Sequence, residues 1–349
     1  MTLPISHMTG FEQRLAATVR GRRLDASRPL IVGYSGGADS LALLVGLSRL
    51  EKRGIAPAVI GIVVDHRLRP TSGVEADTAL QRATESGCET RKVAVDERRL
   101  SGHQGVGVEE AARRERFRVL ADNLTALGGQ AIVLAHHRED QAESVLLHLL
   151  RGAGASGASG MAEWGIRPIP WWRDEPLGAE AAIWRPLLRE PRAELQAFVS
   201  QMGLIPVEDP SNLDRGFARN AIRLDILPAL ERIVPGSAAA LGRYADLAAE
   251  DDAALDVLAT EALAGAMEPT GALRWSGLVL HPLAVRRRAA KLWLLHAAPL
   301  AEPGLDQVEA LLNALERNRG GAIVEIGNGE SVIIERSAAR ALRRPDWEN

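Results

Sequence analysis

Ser35-Gly36-Gly37-Ala38-Asp39-Ser40 stands between two apolar stretches of different character. Before it, Pro29 to Tyr34 reads as a buried strand; after it, Leu41-Ala42-Leu43-Leu44-Val45 reads as the start of a helix. A strand that turns through paired glycines into a helix start presents bare backbone N–H groups at the positive end of a helix dipole. That is an anion site, and phosphate is its usual occupant. Gly36 and Gly37 let the backbone come close to the phosphates, Ser35 and Ser40 offer hydroxyl donors, and the Ala38 N–H belongs to the same cradle. Asp39 suits a magnesium ion bridging phosphates. The lysine of a Walker A loop is absent from the turn, the nearest downstream being Lys52. A plain glycine turn capped by Ser35 or Asp39 has similar local chemistry, but six residues in a strand–turn–helix context favour the phosphate site.

The pattern S-G-G-x-D-S resembles the pyrophosphate loop of the N-type ATP pyrophosphatases. That resemblance implies cleavage of ATP to AMP and pyrophosphate with adenylation of a carbonyl oxygen.

Working outward, Ala58 to Val64 reads as a second buried strand, Val74 to Ser86 as helix and Arg91 to Val95 as a third strand. Val108 to Leu127 reads as a long helix and Ala131 to Ala135 as a fourth strand. This alternation predicts an α/β fold, a doubly wound parallel sheet with helices on both faces. Ligands of such sheets bind beyond the carboxyl ends of the strands. Three polar motifs stand at those ends, after Tyr34, Val64 and Ala135, so three separate loops are expected to meet in one crevice. Gly152 to Arg185, with Trp164, Trp171, Trp172 and Trp184, reads as a long irregular insertion. From about Pro235 the composition turns to alanine- and leucine-rich helix, with Ala238 to Leu263 as the clearest case. Gly327-Asn328-Gly329 reads as the turn of a terminal β-hairpin. The expected domains are 1–232, an ATP-binding catalytic domain, and 233–349, a smaller and mostly helical one.

Bulk properties narrow the class. The 349 residues are 46% hydrophobic and 25% charged with a formal charge of −3, which opposes wholesale polyanion coating but allows a local basic face. Nearly all basic residues are arginine, the lysines being Lys52, Lys92 and Lys291. Cys88 is the single cysteine, which rules out a disulfide framework, a cysteine-rich zinc site or a cluster and fits a reducing cytoplasm. No apolar stretch approaches the roughly 20 residues of a membrane span, so no membrane partner is expected.

The second strand end carries Asp65-His66-Arg67-Leu68-Arg69-Pro70, and the fourth carries His136-His137-Arg138-Glu139-Asp140-Gln141-Ala142-Glu143-Ser144. Adjacent histidines point to different sides of any regular element, which makes them poor joint metal ligands. With a helix starting at Glu139, Asp140 and Glu143 share a face. Two carboxylates in a phosphate crevice suit magnesium or a substrate ammonium, or serve as helix caps.

At this point the chain resembles the tRNA(Ile)-lysidine synthetases over nearly its whole length. The matches run through Ser35–Ser40, Asp65-His66-Arg67-Leu68-Arg69, Ala112-Arg113 with Arg116-Phe117, and His136-His137 with Asp140-Gln141 and Glu143. They continue through Arg151-Gly152, Gly154, Gly157, Gly160-Met161, Arg185-Pro186-Leu187-Leu188 with Arg192, Glu208 to Asn212, Arg219-Asn220 and Ile222-Arg223. Departures are Glu139 for a common aspartate, Ser144 for threonine, Phe117 for tyrosine and Ala158 for leucine. The resemblance implies a ligase that uses ATP and Mg2+ to adenylate the wobble cytidine of tRNA(Ile) with a CAU anticodon. Free L-lysine then displaces AMP. It implies catalytic roles for Asp39, Asp140, Glu143 and Arg113. Nucleotide binding falls to Ser35 to Ser40, Asp65, His66 and His136, and magnesium binding to Asp39. Arg219, Arg223 and Arg287 are expected on the tRNA-facing surface, the mostly helical 233–349 is expected to be a tRNA-binding domain, and a homodimer is allowed. A tRNA thiolase with the same loop would need paired cysteines or an iron–sulfur cluster. A non-catalytic nucleotide-binding regulator would not need Asp140 and Glu143.

Overall fold

The computed structural model describes residues 8–68, 71–103, 105–172, 178–207, 214–318 and 320–342. Arg69, Pro70 and the Glu208–Asn212 match lie outside the described residues. Two compact units divide the chain, Met1–Asp246 and Leu247–Asn349.

The first unit is built on six strands: β1 (Leu30–Tyr34), β2 (Val59–Asp65), β3 (Thr90–Ala94), β4 (Ala131–Val133), β5 (Trp164–Ile169) and β6 (Ala179–Trp184). They lie in the order β3-β2-β1-β4-β6-β5. All neighbours pair in parallel except β5 with β6. Its helices are α1 (Gly10–Gly21), α2 (Ala38–Glu51), α3 (Ser72–Glu85), α4 (Glu97–Gly102), α5 (Val108–Ala126), α6 (Arg138–Leu150), α7 (Ala155–Ala158), α8 (Arg192–Gln201), α9 (Ala218–Ala221) and α10 (Leu227–Ile233). A π-helical turn, Ile222–Ile226, joins the last two.

Alternation along the strands explains the two cores. Leu30, Val32 and Tyr34 of β1 pack with α1, α2, α3 and α8, among them Leu15, Leu44, Ala79 and Phe198. Ile31, between them, faces the other way with Ile62, Phe117, Leu120, Ile132 and Ile183. Successive strand residues point to opposite faces, so a sheet covered on both sides needs unbroken apolar runs. β1 and β2 have them, which is why their sequences could be read directly.

Gly152–Arg185 departs from expectation. It is not an irregular insertion: its residues form α7 and the hairpin β5–β6, and β6 pairs in parallel with β4 in the main sheet. Pro168 sits in β5, the edge strand, where a missing N–H costs no ladder bond on the open side.

The second unit holds the end of α11 (Ser237–Ala266), then α12 (Trp275–Leu278), α13 (Leu283–Ala297), α14 (Leu305–Glu316) and an antiparallel sheet. Its strands are β7 (Leu273–Arg274), β8 (Ile323–Gly327), β9 (Glu330–Glu335) and β10 (Ala338–Leu342), ordered β7-β10-β9-β8. The expected hairpin is β8–β9. Trp293, Leu294, Leu311, Val332 and Ile334 form a separate core. Among the described residues no helix is long and apolar enough to cross a membrane.

Candidate active site

Strand order locates the crevice. From β1 the chain runs outward to β2 and β3, then returns to place β4 on the other side of β1. The loops after β1 and β4 therefore diverge at a topological switch point, where α/β sheets bind ligands. The first of these loops is Ser35–Gly37 and the second is Ala135–His137.

The Ser35–Ser40 turn is held by its own hydroxyls. Ser40 Oγ accepts the Ser35 amide at 3.2 Å, donates to the Gly37 carbonyl at 3.0 Å and lies 3.0 Å from Ser35 Oγ. Gly36 has φ of +88°, and a Cβ there would come within 3.0 Å of the Ala79 methyl. Glycine is thus required by both conformation and space. Gly37 is the N-cap of α2 and supplies no side-chain cap, so the first-turn amides keep their donors for a ligand.

Asp39, in that first turn, is the pivot of an ionic cluster. Its Oδ2 lies 3.5 Å from His137 Nε2 and 3.7 Å from Arg192 Nε. Its Oδ1 is buried and has no hydrogen-bond partner. An orphaned carboxylate oxygen beside a phosphate cradle fits a hard divalent cation.

His137, almost completely buried, occupies the N-cap position of α6, where its backbone N–H donates to Asp140 Oδ2 at 3.0 Å. Its ring lies 3.0 Å from Glu139 Oε2 through Nδ1 and 3.4 Å from Asp140 Oδ2 through Nε2. Burial alone would lower its pKa, but hydrogen bonds with Asp39 and Glu139 and the charge of Asp140 outweigh that and raise it to about 9. His137 is therefore an imidazolium bridging the loops after β1 and β4. Its neighbour behaves oppositely. Burial, reinforced by Arg185, Arg219 and Arg116 against the attraction of Asp140, pushes His136 down to about 3. Its Nδ1 accepts from Arg185 Nε at 3.2 Å. Adjacent positions that face different sides produce one charged and one neutral histidine.

Asp140 and Glu143 do share a face of α6, and both are buried. They are met by the two arginines expected on an RNA surface. Glu143 receives Arg219 Nε at 2.7 Å on Oε2 and Arg223 Nε at 2.7 Å on Oε1. Arg223 Nη2 also donates to Asp140 Oδ1 at 2.8 Å. Asp140 is held ionised despite burial by the charges of His137 and Arg219. In the second unit, Arg287 pairs with Glu309.

Of the remaining predicted residues, Asp65 and His66 stand at the end of β2 and Arg113 on α5. Asp65, buried at the end of β2, accepts the Arg67 amide at 3.1 Å, with Arg67 at φ +52°. His66 is pushed down to about 4 by burial and by Arg116, and its Nδ1 is buried without a partner. Arg113, on α5, pairs with Glu110 at 3.2 Å and lies over Phe117 and Trp171.

His137, Arg185 and Arg192 stand in the site but were not singled out as site residues. Their only signal in the sequence was position, just past a strand end or within a resemblance motif. Gln141 is an anchor: its amide bonds Met161 at both N and O, at 2.8 and 3.0 Å. A Cβ on Gly160 would fall 2.7 Å from Gln141 Oε1.

A cavity of about 210 Å³ opens beside the cluster, lined by Glu143, Arg192, Arg223, Leu227, Pro228 and Glu231 among others. A larger one, about 340 Å³, is lined by residues such as Thr18, Arg22 and Glu163 and contains none of the expected site residues.

The switch-point crevice, the glycine cradle and the acid cluster define a nucleotide-using PP-loop enzyme, and residues 8–230 match the family described as a PP-loop domain. The fold also resembles a U34-tRNA thiolase NcsA from Methanococcus maripaludis solved with its [4Fe-4S] cluster. The TM-score is 0.52 at 19% identity, over 68% of this chain and 80% of that one.

Sequence likeness is more specific. A tRNA(Ile)-lysidine synthase of Salinispora arenicola is 39% identical over 305 residues, 86% of each chain. That of Nocardia farcinica is 38% identical over 339 residues, 95% of this chain and 98% of the relative. That of Mycobacterium tuberculosis is 36% identical over 332 residues, 92% and 93%. The chain belongs to the tRNA(Ile)-lysidine synthase family of PP-loop, ATP-using ligases.

Proposed function

We propose that this chain adenylates the C2 carbonyl oxygen of the wobble cytidine in tRNA(Ile) with a CAU anticodon, and then joins free L-lysine to C2. In the first step the cytidine oxygen bonds to the α-phosphorus of ATP and pyrophosphate leaves. In the second the lysine ε-nitrogen bonds to C2, AMP leaves and the nitrogen loses its extra protons. The observation that carries the reading is identity of 36–39% to lysidine synthases over 86–95% of the chain. The proposed setting is the cytoplasm, where tRNA is available.

Residue roles follow from the chemistry. The Ser35–Ser40 cradle and the α2 N-terminus hold the departing pyrophosphate. Asp39, with its unpartnered Oδ1, is the proposed magnesium ligand; the ion, when bound, neutralises phosphate charge. His137 orients that carboxylate. Asp65, His66 and His136 border the nucleotide, and Arg113 steadies the phosphate or the reacting base.

Lysine's ammonium, pKa about 10.4 in solution, has to become an amine before it attacks. The cavity beside α6 offers carboxylates (Glu143, Glu231), arginines (Arg192, Arg223) and an apolar wall (Leu227, Pro228). That pattern suits a zwitterionic amino acid with an aliphatic stem. Asp140 and Glu143 are then the proposed ammonium-holding pair, with the amine taking over a position that Arg219 and Arg223 satisfy in the free enzyme.

A thiolase reading is less well supported. The single cysteine, Cys88, is buried, and burial raises its pKa, the opposite of what an attacking thiol needs.

The test is incubation with radiolabelled lysine, ATP and tRNA(Ile) transcript. Label in the RNA with AMP as product is expected. Unlabelled RNA, with ADP formation or sulfur transfer, overturns the proposal.

A further inference from the structure

The hairpin that carries β5 ends in a cluster of which the proposed chemistry uses only Arg113. Trp171 is half-buried, with Arg167 and Arg113 guanidinium carbons 5.2 and 5.3 Å from its ring centroid. It is braced edge-on by Phe117 (centroids 5.0 Å apart, 80°) and by buried Trp172 (5.1 Å, 76°). The indole is thus fixed in orientation from two sides before any ligand arrives. Arg185 lies in the same electrostatic neighbourhood. Its Nη1 donates to the Ala162 carbonyl at 2.9 Å, and its Nε reaches His136 at the end of β4. The cluster is therefore tied directly to the rim of the crevice.

Its charge is unbalanced. Among the described residues, Arg113, Arg167 and Arg185 share one ion pair, between Arg113 and Glu110. Burial first, then Arg167 and Arg113, pull Arg185 down to about 10, and Arg113 acts likewise on Arg167. Arginines that repel one another around a braced indole are a poor device for stability alone. They form a site for a group that is anionic at one end and flat and aromatic at the other. A nucleotide of single-stranded nucleic acid has that form, and stacking on an indole accepts any base.

We propose that Trp171, Arg167 and Arg185 form a subsite for an unpaired RNA nucleotide beside the target base, its base on the indole and its phosphate on the two guanidiniums. The inference rests on the tRNA reading above and assigns it a binding surface on the β5–β6 hairpin. Arg167 is exposed on β5, which among the described residues pairs with β6 alone, so its guanidinium is free to swing from over the indole to the phosphate as the base stacks in its place.

The test uses the full chain and an anticodon stem-loop transcript carrying CAU, titrated over a range of KCl. Trp171→Ala should weaken stem-loop binding roughly tenfold to a hundredfold, and Trp171→Phe should restore most of it. Arg167→Ser should flatten the plot of log affinity against log salt by about 0.7 to 0.9, the signature of one lost phosphate contact. ATP binding, measured by calorimetry without RNA, should stay within twofold in both. Stem-loop affinity and salt slope equal to the parent's in Trp171→Phe, Trp171→Ala and Arg167→Ser overturn the subsite. So does a parallel loss of ATP affinity, which assigns the indole to adenine instead. Should Trp171→Ala fail to fold, Arg167→Ser decides through its slope. A parent that binds the stem-loop but never incorporates lysine sinks the ligase reading and leaves the subsite standing.

Discussion

Asp39 stands in the first turn of α2 and Glu143 in the second turn of α6, and the structure gives these two carboxylates different work. Asp39 keeps one buried oxygen without a partner, so its charge is available to a ligand. Asp39→Asn preserves shape and removes that charge. AMP formation should fall on the order of 10²–10³-fold, the usual loss when one group aimed at developing charge is deleted, while thermal stability changes little. An Asp39→Asn enzyme that still forms AMP at the parent rate rules out the magnesium role. Glu143 is fully buried and bonded to two guanidiniums, so removing it leaves two cations with Asp140 alone of their carboxylate partners. Glu143→Ala should cost about 3–5 kcal/mol of stability in urea unfolding, the range for breaking a buried pair. Lysine dependence is therefore better read in Glu143→Gln, which retains the side-chain volume. There KM for lysine should rise well before adenylation is affected. If adenylation fails as early as lysine use, the division of roles between the two carboxylates is wrong.

The β4–α6 connection shows how one short element produces opposite charge states, and this makes it visible to pH. His136, near 3, is neutral when folded but protonates near 6.5 when unfolded, so its stabilising share is present above 6.5 and lost as pH falls. His66, near 4, acts in the same direction. His137, near 9, is charged when folded, so its share is complete below 6.5 and lost as pH rises through about 9. His137→Asn should flatten the fall in stability between about pH 6.5 and 9, and His136→Gln should flatten the acid side. Urea unfolding across pH decides the matter; unchanged profiles refute the assignment. At this scale the sequence was legible where burial is two-sided. β1, β2, α5 and the shared face of Asp140 and Glu143 could be read from apolar runs and helical spacing. β5 and β6 could not, because Pro168 and an alanine-rich Ala179–Trp184 lack a strand signal until β4 supplies a partner. The pairing of Arg219 and Arg223 with Glu143 and Asp140 could not be read, because those partners lie 76 to 83 residues away and spacing carries no trace of that distance.

Across the whole molecule, composition marked a change near Pro235, while compactness divides the chain at Asp246 and Leu247. Local periodicity sees helices begin, whereas a unit is bounded by which core its side chains join. Trp184 belongs to the first unit's core and Trp293 to the second's, both fully buried. Trp293 also donates its indole N–H to the Gly271 carbonyl at 2.9 Å. Two cores that share no residue are expected to melt as two cooperative blocks. Trp293→Ala should then lower one calorimetric transition by about 3–5 kcal/mol, the usual cost of emptying a buried indole site, and leave ATP binding by the first unit unchanged. Since the second unit is the proposed tRNA-binding domain, full-length tRNA affinity should fall at temperatures between the two transitions while the stem-loop still binds. A single transition shifted as a whole, with ATP binding lost alongside it, would show that the two cores fold as one.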